Sequence, residues 1–137
     1  MRMPAAFILI VVASLAAAGC GKAGENASRE VLHAIDQGKL VGTKGTMETL
    51  GRALGASVLD RGGYPLGSSI DQATAVLVPT YLPGAVTVDN WGNTLLYQSD
   101  GRSFTLTSPG ADGRAGSADD LVMTDGQFTQ LPAPGGG

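Results

Sequence analysis

The sequence is poor in the side chains that most chemistry needs. Among 137 residues there is one cysteine, Cys20, and one histidine, His33. A single cysteine excludes a disulfide framework within the chain. With one histidine and no nucleophile paired to a base, the sequence offers no catalytic residues. It reads as a non-enzymatic protein without a small-molecule substrate. Aromatic residues are few, with one Trp, three Tyr and three Phe, whereas glycine is abundant at 21. That balance points to one small, loop-rich domain with a modest core. Basic residues number 9 against 12 acidic, which argues against nucleic acid as a partner.

Long hydrophobic runs are also missing. The one candidate, Ala5 to Ala18, is about 14 residues, short of the roughly 20 that a spanning helix needs. It follows Met1-Arg2 and leads into Ala17-Ala18-Gly19-Cys20, the order of a signal peptide over residues 1–19. Small residues ahead of a cysteine resemble a bacterial lipobox, with Ala17 standing where Leu is commonest. Cleavage before Cys20 would make it the lipidated first residue of the mature chain; the alternative is an exported protein with a free thiol. Acyl chains contribute about 0.8 kcal/mol per buried CH2, and two or more anchor stably. The expectation is a membrane contact through lipid on Cys20, on the periplasmic side of a bacterial envelope. The mature chain would keep 8 basic and 12 acidic residues, a formal charge of −4.

After Cys20, Gly21 to Ser28 is small and polar and reads as a tether. Ala27 to Gln37 carries Val31, Leu32 and Ile35 at helical spacing. His33 lies on this stretch, where a lone histidine is ordinarily a surface or packing residue. Gly38, Gly42 and Gly45 predict a break or kink, so residues 20–45 are expected to be a tether and a short helix. Thr46 caps a stronger helix whose apolar face holds Met47, Leu50, Ala53, Leu54 and Val58. Gly62-Gly63-Tyr64-Pro65 ends it. Ile70 to Val78 reads as a short helix running into a segment kept extended by Pro79 and Pro83.

From Val86 the hydrophobic period changes. Thr94 to Gln98 and Ser103 to Thr107 read as strands joined at Asp100-Gly101, a hairpin signal. Leu95 and Tyr97 fall on one face of the first strand, and Phe104 and Leu106 share a face of the second. Leu121-Val122-Met123 is a third short strand. From Phe128 the chain trails off, with residues 129–137 expected to be a disordered tail.

Between the second and third strands lies Ser108 to Asp120, with Asp112, Asp119 and Asp120 opposed only by Arg114. Gly110, Gly113 and Gly116 let such a loop fold back on itself. Carboxylates brought that close repel unless a cation sits between them, and hard divalent ions with oxygen ligands, Ca2+ above all, serve that purpose. The spacing is not that of an EF-hand. On spacing alone, a solvated Asp-Gly turn explains it equally well.

Several words occur in a telling order: Thr46-Met47, Gly63-Tyr64-Pro65, Pro79-Thr80-Tyr81-Leu82, Asp89-Asn90-Trp91-Gly92-Asn93, Leu96-Tyr97 and Ser108-Pro109-Gly110-Ala111-Asp112-Gly113. This order resembles the C-terminal domain of the major pseudopilin of type II secretion, the GspG family, over roughly Thr46 to Asp125. The resemblance implies an α+β fold, an N-terminal α-helix packed on a small antiparallel sheet with a calcium-binding loop, occupying residues 46–128. It implies Ca2+ held by Asp112, Asp119 and Asp120, with backbone carbonyls of Pro109 and Met123 completing the shell. It also implies secretion-system or pilin-like proteins as partners. Trp91 and Tyr64 are expected to pack rather than bind. The front end departs from the family, lacking its Gly-aromatic cleavage site, early Glu and long apolar helix. The expected function is therefore a lipid-anchored, pseudopilin-like protein of the secretion machinery. The alternative is a stand-alone calcium-binding envelope lipoprotein with another partner.

Overall fold

The computed structural model describes residues 20–133 of the protein. The apolar run, the cleavage site and residues 134–137 lie outside the described residues. Two helices, α1 (Cys20–Arg61) and α2 (Ile70–Leu77), precede four strands, β1 (Leu96–Ser99), β2 (Phe104–Ser108), β3 (Leu121–Thr124) and β4 (Gln127–Gln130). The strands form one antiparallel sheet in the order β1-β2-β3-β4. The architecture is the expected α+β arrangement of a long helix with a small antiparallel sheet.

The helix departs from expectation at its start. It runs unbroken for 42 residues, so Gly21 to Ser28 is helical and Gly38, Gly42 and Gly45 do not interrupt it. A glycine costs a helix about 1 kcal/mol relative to alanine but does not forbid helical angles. Packing offsets that cost in the second half. Met47, Leu50 and Leu54 are each at most 1% exposed, and burying such side chains contributes about 1.5–3 kcal/mol apiece. Two glycines there are required by close approach. A Cβ on Gly42 would overlap the side-chain amide of Asn90, and one on Gly51 would sit 2.8 Å from the Met123 sulfur.

The first half has no such support. Residues 22–38 are all exposed, with Val31 59%, Leu32 61% and, just beyond, Val41 70% exposed. At 1.5 Å per residue, the whole of α1 is about 60 Å long. No helix among the described residues is long and apolar enough to cross a membrane.

α2 shows why a short helix forms where it does. The Ser69 hydroxyl accepts from the Asp71 amide as an N-cap, and Ile70, Ala73, Thr74 and Leu77 bury one face. Val78 itself is extended, as the residue before Pro79 should be, but the chain then turns rather than staying extended as expected, with the Tyr81 and Leu82 amides donating back to the Leu77 carbonyl at 2.8 and 3.1 Å. The Tyr81 hydroxyl then donates to the Asp60 carboxylate at 2.5 Å, tying this segment to the end of α1.

In the sheet the alternation holds. Leu95, Tyr97, Phe104, Leu106, Leu121 and Met123 are buried, whereas Leu96 is 45% exposed. Tyr64 meets the Phe104 ring edge-on at 4.8 Å between centroids, a packing role as expected. The Tyr97 hydroxyl donates to the Pro65 carbonyl at 2.7 Å, joining β1 to the Tyr-Pro turn. At the first hairpin, Asp100 accepts from the amides of Ser103 and Arg102, which hold its carboxyl below the usual range.

The fourth strand corrects the expected tail. Asp125 and Gly126 have φ of 50 and 84°, the two positive values of a tight hairpin turn. They return the chain so that Gln127–Gln130 pairs with Val122–Thr124, with an irregularity between Val122 and Met123. The Asp125 carboxylate also accepts from the Ser103 hydroxyl and the Phe104 amide, fastening this turn to the start of β2. Residues 129–130 thus belong to the sheet.

Two substitutions separate the helix glycines. Gly51→Val is expected to lose about 2 kcal/mol of stability by overpacking against Met123. Gly55→Ala, with open space around it, is expected to gain about 1 kcal/mol. Denaturant melts of both variants check the signs. A pH series checks Tyr97, whose pKa burial raises above its ordinary value of 10. A raised folded pKa means the folded state holds its proton longer. The stability from this group is therefore complete below pH 10 and lost as pH climbs through the raised folded value. Tyr97→Phe should shallow that alkaline decline.

Candidate functional site

The acidic loop is rooted on a buried carboxylate outside it. Asp89 is 4% exposed. One of its oxygens accepts from the amides of Trp91 (2.9 Å) and Asn93 (2.8 Å). The other accepts from the Ser108 hydroxyl at 2.7 Å and, more weakly, from the Asn93 side-chain amide at 3.4 Å. Buried charge is costly unless so satisfied, and hydrogen bonds to ionised groups are about twice as strong as neutral ones. Asp89 thereby locks the Asp-Asn-Trp-Gly-Asn turn to the end of β2.

The loop then leaves Ser108 in two clasped halves. Asn93 donates its side-chain amide to the Gly110 carbonyl at 2.8 Å, extending the anchorage one step into the loop. Gly110 has φ of 69°, and a Cβ there would overlap the Asp119 carbonyl. The two ends of the loop therefore touch, and only glycine permits both the angle and the approach. Within the first half, an oxygen of Asp112 accepts from the Arg114 amide at 2.8 Å. Within the second, Asp120 accepts from the Gly116 amide at 2.6 Å and the Ser117 hydroxyl at 3.3 Å. The Gln130 side chain donates to the Ser117 carbonyl at 2.9 Å, so β4 braces the loop from outside.

The expected site residues are placed unequally. Asp120 is buried, at 3% exposed, Asp119 is half-buried and Asp112 is exposed. Pro109 is buried at the start of the loop. Met123 lies apart from them. It pairs with Leu106 and Phe128 in the body of the sheet, two ladder steps beyond the loop, and its side chain is fully buried against α1. Among the described residues, no group of three or more His, Cys, Asp or Glu side chains comes together so as to hold a metal ion. His33 is exposed on α1. The side chain of Cys20 is not among those described.

Asp89 is the residue that sequence reasoning passed over. Its only signal was position, an Asp followed by Asn, Trp, Gly and Asn just before the strands, which also fits an ordinary turn. Trp91 is half-buried and packs against the core, as expected, and its indole N–H donates to Asp36 at 3.3 Å.

Asp89→Ala should remove about 3 kcal/mol, because it strands buried donors as well as deleting charge-assisted bonds. Ser108→Ala should cost nearer 1 kcal/mol. Chemical denaturation of the two variants tests the ranking, and equal losses would mean that Asp89 is not the hub.

A long helix, a Tyr-Pro turn, an antiparallel sheet and a clasped acidic loop together define a comparable unit. A family model described as type II secretion system (T2SS), protein G, matches residues 30–124, from the exposed part of α1 to the end of β3. No curated protein and no solved structure matches the chain significantly. Members of the family are structural, non-enzymatic components of the secretion machinery in the cell envelope, and they assemble with other pilin-like proteins. With more than half of its length matched, the chain belongs to the type II secretion system protein G family of pseudopilins.

Proposed function

We propose that the protein is a lipid-anchored pseudopilin head, held through Cys20 on the periplasmic side of the envelope. There it acts as a protein-binding subunit within or beside the secretion machinery. The observation that carries the machinery role is the family match over 30–124, which takes in α1 from Glu30, α2, strands β1 to β3 and the acidic loop. The chemistry of recognition is structural. A rigid loop, rooted at Asp89 and braced by Gln130, presents a fixed surface to other pilin-like subunits.

Calcium belongs to the same proposal. The donor set suits a hard divalent ion, with carboxylates and backbone carbonyls on a loop whose ends meet. Asp120 takes one donor on each of its two oxygens and keeps a lone pair free on each. Asp112 and Asp119 would supply the remaining carboxylates and Pro109 a carbonyl. Met123 does not suit, because its backbone lies within the sheet. Bound there, the ion would neutralise the loop's carboxylates and hold its two halves together.

Binding to the folded state alone stabilises by about 2.7 kcal/mol at a hundredfold excess over Kd, a Tm rise on the order of 10 °C for a domain of this size. That rise is expected when calcium replaces a chelator, and it should vanish in Asp119→Ala with Asp120→Ala. An undiminished rise in the double variant would remove these residues from the site. Labelled palmitate should enter the wild-type protein but not Cys20→Ser. In the source bacterium, loss of the gene should lower type II secretion into the medium, and normal secretion would refute the machine role.

A further inference from the structure

The sheet has two edges, and one of them is covered. Beside β1, the Ser99 amide donates to the Gly67 carbonyl at 2.9 Å and the Gly67 amide returns a bond to Ser99 at 3.4 Å. The Tyr64 amide donates to the Gly101 carbonyl at 2.9 Å, so the segment around the Tyr-Pro turn occupies that edge. β4 ends the sheet on the other side. Among the described residues, no hydrogen bond beyond its ladder to β3 reaches the backbone of Gln127–Gln130. Thr124 and Gln127 close the two-residue turn and bond to each other, so the amide and carbonyl of Phe128, one step on, point away from β3. We propose that this edge pairs antiparallel with the same edge of a second copy of this chain, joining two four-stranded sheets into one.

Three features select that occupant. An open edge offers main-chain donors and acceptors, which another extended backbone matches and a side chain or small molecule does not. In a second copy β4 is already extended, whereas a flexible segment would have to be ordered on binding, at a cost in affinity. The third feature is charge. Gln127–Gln130 contains neither a charged residue nor a proline, two devices that commonly blunt an edge. The charges that flank it are of opposite sign, Asp125 at the turn and Lys44 over the Phe128 ring at 5.6 Å, so two copies meet without net repulsion. Leu131, 45% exposed just past the strand, adds apolar surface to the contact. The irregularity between Val122 and Met123 limits the straight run to a few residues, so the contact is small and the dimer weak.

The test is thiol cross-linking of the full chain in intact cells with a short bis-maleimide, the wild-type chain setting the background from Cys20. Thr129→Cys places a thiol next to Phe128 on the open edge. Leu59→Cys places one near the end of α1, where the residue is 87% exposed and reports random collision. Val31→Cys reports pairing through the exposed part of α1. Thr129→Cys is expected to give about fivefold more dimer than Leu59→Cys. Adding Gln127→Lys sets like charges along the paired edges and should cut that dimer about fivefold while leaving the melting temperature unchanged. Should Gln127→Lys alter the melting temperature, Gln127→Glu is read in the same way. A Thr129→Cys yield no higher than that of Leu59→Cys, a dimer undiminished by the added charge, or cross-linking through Val31→Cys alone would each overturn the proposal.

Discussion

The architecture turns on a single buried carboxylate. Asp89 sits where two pieces of chain far apart in sequence must meet: its own turn around Trp91, and Ser108, which ends β2 and roots the acidic loop. Each would otherwise end in unsatisfied amide or hydroxyl donors, and one ionised group serves them at once. The sheet can form from its own ladder hydrogen bonds. The loop's position relative to the sheet cannot, and it is that position which gives the protein a defined face. Ser108 and Asn93 carry the constraint outward, and the Gly110 contact with Asp119 closes it.

The parts legible in the sequence were those where side-chain period dictates structure. Met47, Leu50 and Leu54 recur at helical spacing, and Leu95, Tyr97, Phe104 and Leu106 alternate, so the helix face and the first hairpin could be placed within a residue or two. The Asp100-Gly101 turn fixed their connection. The same dipeptide recurs at Asp125-Gly126, yet the strand after it was missed. Gln127 to Gln130 has only Phe128 to bury, so edge pairing and not amphipathic pattern holds it in place. Helix continuity was illegible for a different reason. Glycine lowers helix stability without setting backbone angles, and whether Gly42 and Gly51 break or permit packing depends on Asn90 and Met123, which lie far along the chain.

At the acidic loop, sequence located the segment but could not distinguish among its carboxylates. Asp112, Asp119 and Asp120 look alike in a string of letters. In the fold they differ in exposure and in task, with Asp112 turning one half of the loop and Asp120 the other. Met123 shows the converse limit. Its distance from the loop follows from β-sheet register, which a third strand of three apolar residues does not specify. Membership of the pseudopilin family then gives these parts a common purpose, a braced head on a long helix within a secretion assembly.

The uneven footing of α1 has a mechanical corollary. Over residues 22–32 the coil is held by its own hydrogen bonds alone, since its first tie to the rest of the protein is the Trp91 indole on Asp36, and Gly24 weakens even those. Under axial tension this portion would yield before the packed head, each uncoiled residue adding about 2 Å of length. The protein is thus built with its compliance at one end and its stiffness at the other, so that a pull would lengthen the leash while leaving the shape it carries undistorted.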